Sequence, residues 1–260
     1  MNTALVTGAS SGIGLELTRL LAADGKRVVL AARSTSALEQ LAASLPDAVA
    51  VTADLSTPAG VAALVETVPD VDVLVNNAGV GDFGAFVEAD PDRTMAMIQL
   101  NVAALTQLTR RYLPAMVERG SGKVLNVAST AAFQPGPLMA VYYATKAYVL
   151  SFSEALAEEL RGSGVTVTAL CPGPTASGFQ DAANLGESRL VKERHLPSAA
   201  DVAASGYRAM QRGDVVHVTG LRNKVLAASV RFTPRPVMRR LVHRLQSADR
   251  ANGSSPDTST

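Results

Sequence analysis

Apolar and polar positions follow two different patterns along the chain. Short runs rich in Val, Leu and Ala alternate with longer segments whose apolar residues recur every three or four positions. The short runs predict strands buried on both faces, and the longer segments predict amphipathic helices. The predicted strands are 3–7, 27–32, 48–52, 71–75, 123–128, 165–170 and, more weakly, 215–219. The predicted helices are 13–24, 35–45, 58–68, 91–119, 142–162 and 199–211.

This strand–helix alternation predicts the fold class. Parallel strands joined by right-handed helical crossovers form an α/β structure, here a doubly wound parallel sheet of seven strands. Residues 1–220 contain no linker or internal repeat, so we expect them to form one domain. The pattern changes at Leu221, which predicts a basic extension of the same domain over 221–250. The Ser- and Thr-rich segment 251–260 predicts a disordered tail.

Composition and charge exclude several classes of protein. The 260 residues are 47% hydrophobic, which excludes a fully disordered chain. Lys and Arg number 24 against 23 acids, and this balance is unlike that of a nucleic-acid-binding protein. A single cysteine, Cys171, excludes an internal disulfide and a cysteine-rich zinc site, and the three histidines lack ligand spacing, so we predict no metal. The amino terminus leads directly into the first strand, so we expect a cytoplasmic protein.

A glycine-rich turn follows the first predicted strand and opens the first helix. Residues 7–14 read T-G-A-S-S-G-I-G, which departs from the strict G-x-G-x-x-G fingerprint. Glycines permit a tight turn, and the free N–H groups of a helix N-terminus bind a pyrophosphate. The alternative is a glycine turn without a ligand. The strand–turn–helix context favours a Rossmann-type dinucleotide site, with contacts from Gly8, Ser10, Ser11, Gly12, Ile13 and Gly14.

The end of the second predicted strand indicates which dinucleotide binds. An acidic residue there would bind the ribose 2′-hydroxyl of NAD, but this chain has Ala32 followed by Arg33. A guanidinium forms charge-assisted hydrogen bonds to a 2′-phosphate, so the sequence predicts NADP(H). Alternatively, Arg33 is a solvated surface residue.

Three polar residues could carry acid–base chemistry. Tyr142 and Lys146 lie four residues apart and therefore share one face of a helix. An ammonium stabilises a phenolate, and a phenol can give a proton to a carbonyl oxygen as hydride reaches the carbon. Ser129, at the end of the fifth strand, can hydrogen-bond the same oxygen. Taken alone, the Tyr–Lys pair is equally an ordinary pair on a helix surface.

Together these motifs resemble the short-chain dehydrogenase/reductase family. The chain carries T-G-x-x-x-G-x-G at 7–14, N-N-A-G at 76–79, Asn101, Ser129, Y-x-x-x-K at 142–146 and Pro172-Gly173, in that family's order and spacing. The resemblance covers about residues 3–220. It implies a seven-stranded dinucleotide-binding and catalytic domain, a nicotinamide cofactor, and a homodimer or homotetramer.

The resemblance also implies a role for each matching residue. Tyr142 is the general acid/base, Lys146 lowers its pKa and binds the nicotinamide ribose, and Ser129 orients the carbonyl. Asn101 helps to hold a proton-relay water. Ser177 stands where many members have Thr. Further cofactor contacts are implied for Asp54, Leu55, Asn77, Ala78, Gly79, Pro172 and Gly173. Alternatively, Asn76 only ties strands together, and Asp54 only caps the following helix.

The sequence indicates less about the substrate than about the cofactor. A long segment, 174–200, separates the sixth strand from the next helix, where substrates enter sheets of this kind. The candidate pocket residues are apolar and predict a hydrophobic carbonyl or alcohol substrate: Phe133, Pro135, Leu138, Phe179 and Leu185. The sequence therefore predicts an NADP(H)-dependent carbonyl reductase. The alternatives are a 3-oxoacyl-thioester reductase and a non-catalytic NADP-binding regulatory protein.

The basic stretch has three interpretations. Residues 222–250 hold eight Lys or Arg and one acid, a net charge of +7. We favour a C-terminal helix over 237–246 that completes the subunit or a dimer contact, with Val237, Leu241, Val242 and Leu245 on its apolar side. A peripheral membrane contact comes second. Nucleic-acid binding comes third, because no aromatic residues or known motif support it.

Overall fold

The computed structural model describes residues 2–176 and 196–247. Their seven strands are β1 (Thr3–Thr7), β2 (Arg27–Ala32), β3 (Ala48–Thr52), β4 (Val73–Asn76), β5 (Gly122–Val127), β6 (Val165–Cys171) and β7 (Val216–Val218). The strands pair in parallel in the order β3-β2-β1-β4-β5-β6-β7. The predicted seven-stranded, doubly wound parallel sheet is therefore confirmed.

Nine α-helices surround or follow the sheet in the described ranges. They are α1 (Gly12–Ala23), α2 (Thr35–Ala43), α3 (Pro58–Thr67), α4 (Pro91–Ile98), α5 (Leu105–Glu118), α6 (Ala140–Glu159), α7 (Ala199–Arg212), α8 (Leu221–Ser229) and α9 (Arg235–Gln246). No helix in these ranges combines the length and the apolar composition that a bilayer crossing requires.

Alternate strand residues face opposite layers of the core, because side-chain direction alternates along a strand. In β1, Ala4 and Val6 pack with α1, α2 and α7 on one face of the sheet. Leu5 packs with α3 and α5 on the other. Every central strand is covered on both faces, which explains the nearly uninterrupted apolar runs in the sequence.

The predicted single helix over 91–119 is wrong in one respect. Residues Gln99–Ala104 between α4 and α5 form a π-helical segment, which contains the buried residue Asn101. Wide turns of this kind are frequent at functional sites. Period-3.6 patterning cannot reveal them, because the apolar positions on either side keep their helical spacing.

Candidate functional site

A cleft of about 1320 Å³ runs across the carboxyl ends of the strands. It crosses the boundary between β1 and β4, where the chain switches direction across the sheet and ligands bind in such folds. Most of the predicted site residues line it: Gly8, Ser10, Ser11, Gly12, Ile13, Arg33, Asp54, Leu55, Asn77, Ala78, Gly79, Ser129, Tyr142, Lys146, Pro172 and Gly173. Gly14 and Asn101 are not among the lining residues and lie behind this surface.

The turn between β1 and α1 requires its glycines. Gly8 has φ +65°, and a Cβ there would lie 2.9 Å from the Cα of Ala78. A Cβ on Gly14 would lie 2.3 Å from the carbonyl oxygen of Gly8, so Gly14 allows α1 to pack closely against the turn. The Asn77 side-chain nitrogen donates to the carbonyl oxygens of Thr7 and Gly8, at 3.0 and 3.1 Å, and holds the turn in place.

This turn fits an anionic ligand. Ser11 is the N-cap of α1, and its side chain makes no capping hydrogen bond in the structure as described. The first N–H groups of α1 therefore remain available at the positive end of the helix dipole. Because Gly12 has φ +56° and no side chain, the backbone can approach a pyrophosphate closely.

Arg33 lies exposed immediately after β2 and lines the cleft. Its positive charge contributes to lowering the pKa of Asp54, although hydrogen bonds from Ser56 are the larger cause. These bonds run to the Asp54 carboxylate from the backbone nitrogen of Ser56, at 3.0 Å, and from its hydroxyl, at 2.7 Å. Asp54 therefore shapes the turn before α3 as well as lining the cleft.

Tyr142, Lys146 and Ser129 meet on the other side of the cleft. Tyr142 and Lys146 project from the first two turns of α6, and the Lys146 Nζ lies 5.8 Å from the centre of the Tyr142 ring. The Nζ donates a 2.7 Å hydrogen bond to the carbonyl oxygen of Val127, at the end of β5. Ser129 follows this strand and hydrogen-bonds Tyr142.

Burial controls the ionisation of both residues on α6. It raises the pKa of Tyr142 above its usual value, and the hydrogen bond with Ser129 acts in the opposite direction. It also lowers the pKa of Lys146 to about 8, while the neighbouring Cys171 acts in the opposite direction. The protein alone therefore does not lower the pKa of Tyr142, contrary to the expectation from the sequence. The physical reason is that desolvation of the phenolate outweighs the favourable interactions around it.

Asn101 connects the loop after β4 to α6. Its side-chain nitrogen donates to the carbonyl oxygen of Val80, at 2.9 Å, and to the hydroxyl of Thr145, at 3.1 Å. Its side-chain oxygen accepts from the backbone nitrogen of Val80, at 3.0 Å. A Cβ on Gly79 would lie 3.2 Å from that oxygen and 3.4 Å from the Lys146 Nζ. Asn101 thus fixes the N-N-A-G loop beside Lys146.

Asn76 has a structural role, because its side chain ties neighbouring strands together. Its side-chain nitrogen donates to the Asn126 oxygen, at 2.9 Å, and to the Thr109 hydroxyl, at 3.0 Å. Asn126 in turn donates to the Ser153 hydroxyl, at 2.9 Å. This buried chain of side chains joins β4 and β5 to α5 and α6.

Three of the five apolar pocket residues proposed from the sequence do not line the cleft. Phe133 packs against the core beneath α6, and Pro135 and Leu138 are not among the residues that line the cleft. In this segment Thr130–Phe133 forms a 3-10 turn, and Leu138 has a left-handed φ of 67°. Ser177, Phe179, Leu185 and the tail 251–260 lie outside the described residues.

The apolar wall of the cleft is formed mainly by residues of the C-terminal helices α8 and α9. They were not predicted as pocket residues: Met139 before α6, and Leu226, Val230, Met238, Leu241, Val242 and Leu245 from α8 to α9. On α9 the buried side chains are Met238, Val242 and Gln246, whereas Val237, Leu241 and Leu245 are exposed beside them. Met238, Val242 and Gln246 have an i, i+4, i+8 spacing, but Val237, Leu241 and Leu245 share it, so spacing alone could not locate the inward face.

The comparisons with known proteins agree with this arrangement. Residues 2–188 match the family model described as short chain dehydrogenase. Over 179 residues the chain is 37% identical to the ketoacyl reductase HetN of Nostoc sp., covering 66% of this chain and 62% of that relative.

Two solved structures extend the likeness beyond the residues that the family model matches. A short-chain dehydrogenase from Sphingobium yanoikuyae in complex with NADPH has a TM-score of 0.82 and 31% identity, covering 96% of this chain and 100% of that one. A 3-ketoacyl-(acyl-carrier-protein) reductase from Brucella melitensis complexed with NADH has a TM-score of 0.73 and 32% identity, covering 84% and 94%. The sheet, the glycine turn and the extent of these matches together show that this chain is an oxidoreductase of the short-chain dehydrogenase/reductase family.

Proposed function

We propose that this oxidoreductase is an NADP(H)-dependent carbonyl reductase that acts on an apolar substrate. The observation that carries the proposal is the position of Tyr142. Its buried phenol lies in the same cleft as the glycine turn, hydrogen-bonds Ser129 and has the Lys146 ammonium 5.8 Å from its ring centre. The intact arrangement argues against a binding protein without turnover.

The residues along the cleft fit a nicotinamide dinucleotide. The α1 N-terminus and the glycine turn would hold the pyrophosphate, and Lys146 and the Pro172-Gly173 turn, which line the same cleft, would contact the nicotinamide riboside. The reduced cofactor, when bound, supplies the hydride. Arg33 supports NADP(H), because it is exposed at the adenosine end and can bind a 2′-phosphate. One structural relative is a complex with NADPH and another a complex with NADH, so the preference rests on Arg33 itself.

Tyr142 would donate the proton to the carbonyl oxygen. Its raised pKa keeps the phenol protonated near neutral pH, which is the state that reduction requires. Ser129 would orient the same oxygen through its hydroxyl. The Lys146 ammonium, fixed by the Val127 carbonyl, would stabilise the phenolate formed after proton transfer. Asn101 would act indirectly, by fixing the N-N-A-G loop beside Lys146.

The wall formed by the C-terminal helices supports an apolar substrate. Met238 and Val242 face the cleft beside Tyr142 and Tyr143, and would desolvate a hydrocarbon group attached to the carbonyl. A 3-oxoacyl thioester is the second candidate. The relatives described as ketoacyl reductases favour it, and its acyl chain would fit the same wall.

Oxidation of NADPH, followed at its absorbance maximum, tests the function. The panel should contain long-chain and short-chain ketones, aldehydes and 3-oxoacyl thioesters. We expect turnover with an apolar carbonyl compound and a higher kcat/KM for longer alkyl groups. A strong preference for thioesters over ketones of equal chain length would support the second candidate. NADPH binding without turnover of any class would contradict both.

A further inference from the structure

The last two helices carry an unusual surface. Residues 221–246, named here the C-terminal surface, hold seven of the fourteen large apolar side chains that are exposed in the described residues. Phe232 is 88% exposed and Leu221 is 79% exposed. The others on this surface are Val225, Leu226, Val237, Leu241 and Leu245. A concentration of this kind marks an interaction site, since single exposed apolar residues are otherwise scattered.

The same surface is strongly basic. It contains seven Lys or Arg and no Asp or Glu, whereas the whole chain has a net charge of only +1. Within the described ranges, no ion pair joins any of these seven cations to an acid. An anionic partner would therefore complement the charge of this surface.

Three kinds of side chain occupy separate faces of α9: buried, exposed apolar and basic. Met238, Val242 and Gln246 face the protein, whereas Val237, Leu241 and Leu245 form an exposed apolar line beside them. Arg240 and Arg244 follow on the far side of that line, given the 100° rotation between successive residues. Apolar side chains flanked by cations characterise helices that lie in the interface of a membrane.

From these observations we propose that the C-terminal surface docks on an anionic lipid membrane. A second copy of the chain is the weaker occupant, because a two-fold contact would bring the same patch of cations against itself. The exposed Leu226, Leu241 and Leu245 also line the cleft, so the docked face adjoins its mouth. The docking itself does not depend on the proposed function. Only the further idea that an apolar substrate enters from the lipid rests on that function.

Vesicle flotation of the full chain tests the docking. We expect the protein to float with phosphatidylcholine vesicles that contain about 30 mol % phosphatidylglycerol, and not with phosphatidylcholine alone. Raising the salt from about 0.05 to 0.5 M should weaken flotation, because the charges are then screened. This readout is independent of turnover, so its failure leaves the proposed reductase untouched.

Two sets of variants locate the contact outside the cleft. Arg235→Gln/Arg239→Gln/Arg240→Gln should reduce partitioning at least about tenfold, since each cation near an anionic surface contributes. Phe232→Ser/Val237→Ser should reduce it as well, by removing apolar side chains that insert into the interface. Thermal melting of each variant shows whether it is folded.

Matched controls change the same residue types elsewhere. Arg19→Gln/Arg110→Gln/Arg161→Gln removes the same charge, and Val49→Ser/Val117→Ser removes exposed apolar side chains from β3 and from the end of α5. Both controls should float like the unaltered protein. Absence of flotation, or equal loss in the controls, would overturn the proposal. So would a stable dimer that Phe232→Ser/Val237→Ser dissociates, or salt-sensitive binding to an acidic carrier protein without binding to vesicles.

Discussion

Gln246 donates a 2.6 Å hydrogen bond from its side-chain nitrogen to the hydroxyl of Tyr143, the neighbour of Tyr142 on α6. Both side chains are buried, and 103 residues separate them along the chain. The bond joins the last turn of α9 to the first turn of α6. Through it, together with the packing of Met238 and Val242, the C-terminal helix becomes a wall of the proposed substrate site.

We expect Tyr143 and Gln246 to contribute to the free energy of unfolding as a coupled pair. Tyr143→Phe leaves the Gln246 side-chain nitrogen buried without its partner, which should lower the free energy of unfolding by about 1–3 kcal/mol. Replacing both partners, as in Tyr143→Phe/Gln246→Leu, should cost less than the sum of the single changes. Urea unfolding of the four proteins measures the coupling. Additive losses would show that the two residues do not act as a pair.

Cofactor choice should depend on Arg33. We expect Arg33→Ala to weaken NADPH binding by roughly ten- to a hundredfold, because a charge-assisted hydrogen bond contributes about 1.5–3 kcal/mol. NADH binding should hardly change, since NADH lacks the 2′-phosphate. Fluorescence titration with both nucleotides measures this, with Arg27→Ala, on the same strand, as the control. Equal affinity of the unaltered protein for NADH and NADPH would contradict the assignment.

In the cofactor-free protein, the buried Lys146 ammonium should lower the free energy of unfolding near neutral pH. Its pKa falls from 10.5 to about 8 on folding, so below pH 8 the folded state carries the full penalty of a buried ammonium. Between about pH 8 and 10.5 the unfolded chain binds more protons than the folded one, and this group makes stability rise with pH. Above pH 10 the raised pKa of Tyr142 makes stability fall, because the folded state then retains a proton that the unfolded chain loses.

Lys146→Met should therefore increase the free energy of unfolding at pH 7, by up to about 3 kcal/mol. The increase should shrink as the pH rises from 8 to 10.5. Urea unfolding across this range measures the effect, and Lys224→Met, at an exposed position, is the control. A Lys146→Met protein that is less stable than the unaltered one at every pH would contradict the explanation.

The sequence predicted the sheet and most of the cleft because both depend on local patterns. Buried parallel strands require uninterrupted apolar runs, and the turn at Gly8 requires a residue that tolerates positive φ. The ends of adjacent parallel strands necessarily meet, so the motifs after β1, β2, β4, β5 and β6 line one cleft.

The substrate wall could not be predicted in the same way. It depends on how α9 packs against α6, a contact between segments about 100 residues apart. The apolar residues of α9 form two neighbouring lines, and nothing local shows that Val242 faces inward while Leu241 remains exposed. The Phe133 side chain was misplaced for a similar reason, because its direction depends on a 3-10 turn.

The most direct test of the proposed function compares Tyr142→Phe with Tyr143→Phe in NADPH-dependent reduction of an apolar ketone. The two variants remove one hydroxyl each from adjacent buried residues of α6. We predict that Tyr142→Phe still binds NADPH while kcat falls by at least about 10²-fold, since the proton donor is lost. Tyr143→Phe should retain most of its turnover. A Tyr142→Phe protein with nearly unaltered kcat, or loss of turnover only in Tyr143→Phe, would contradict the assignment of Tyr142 as the general acid.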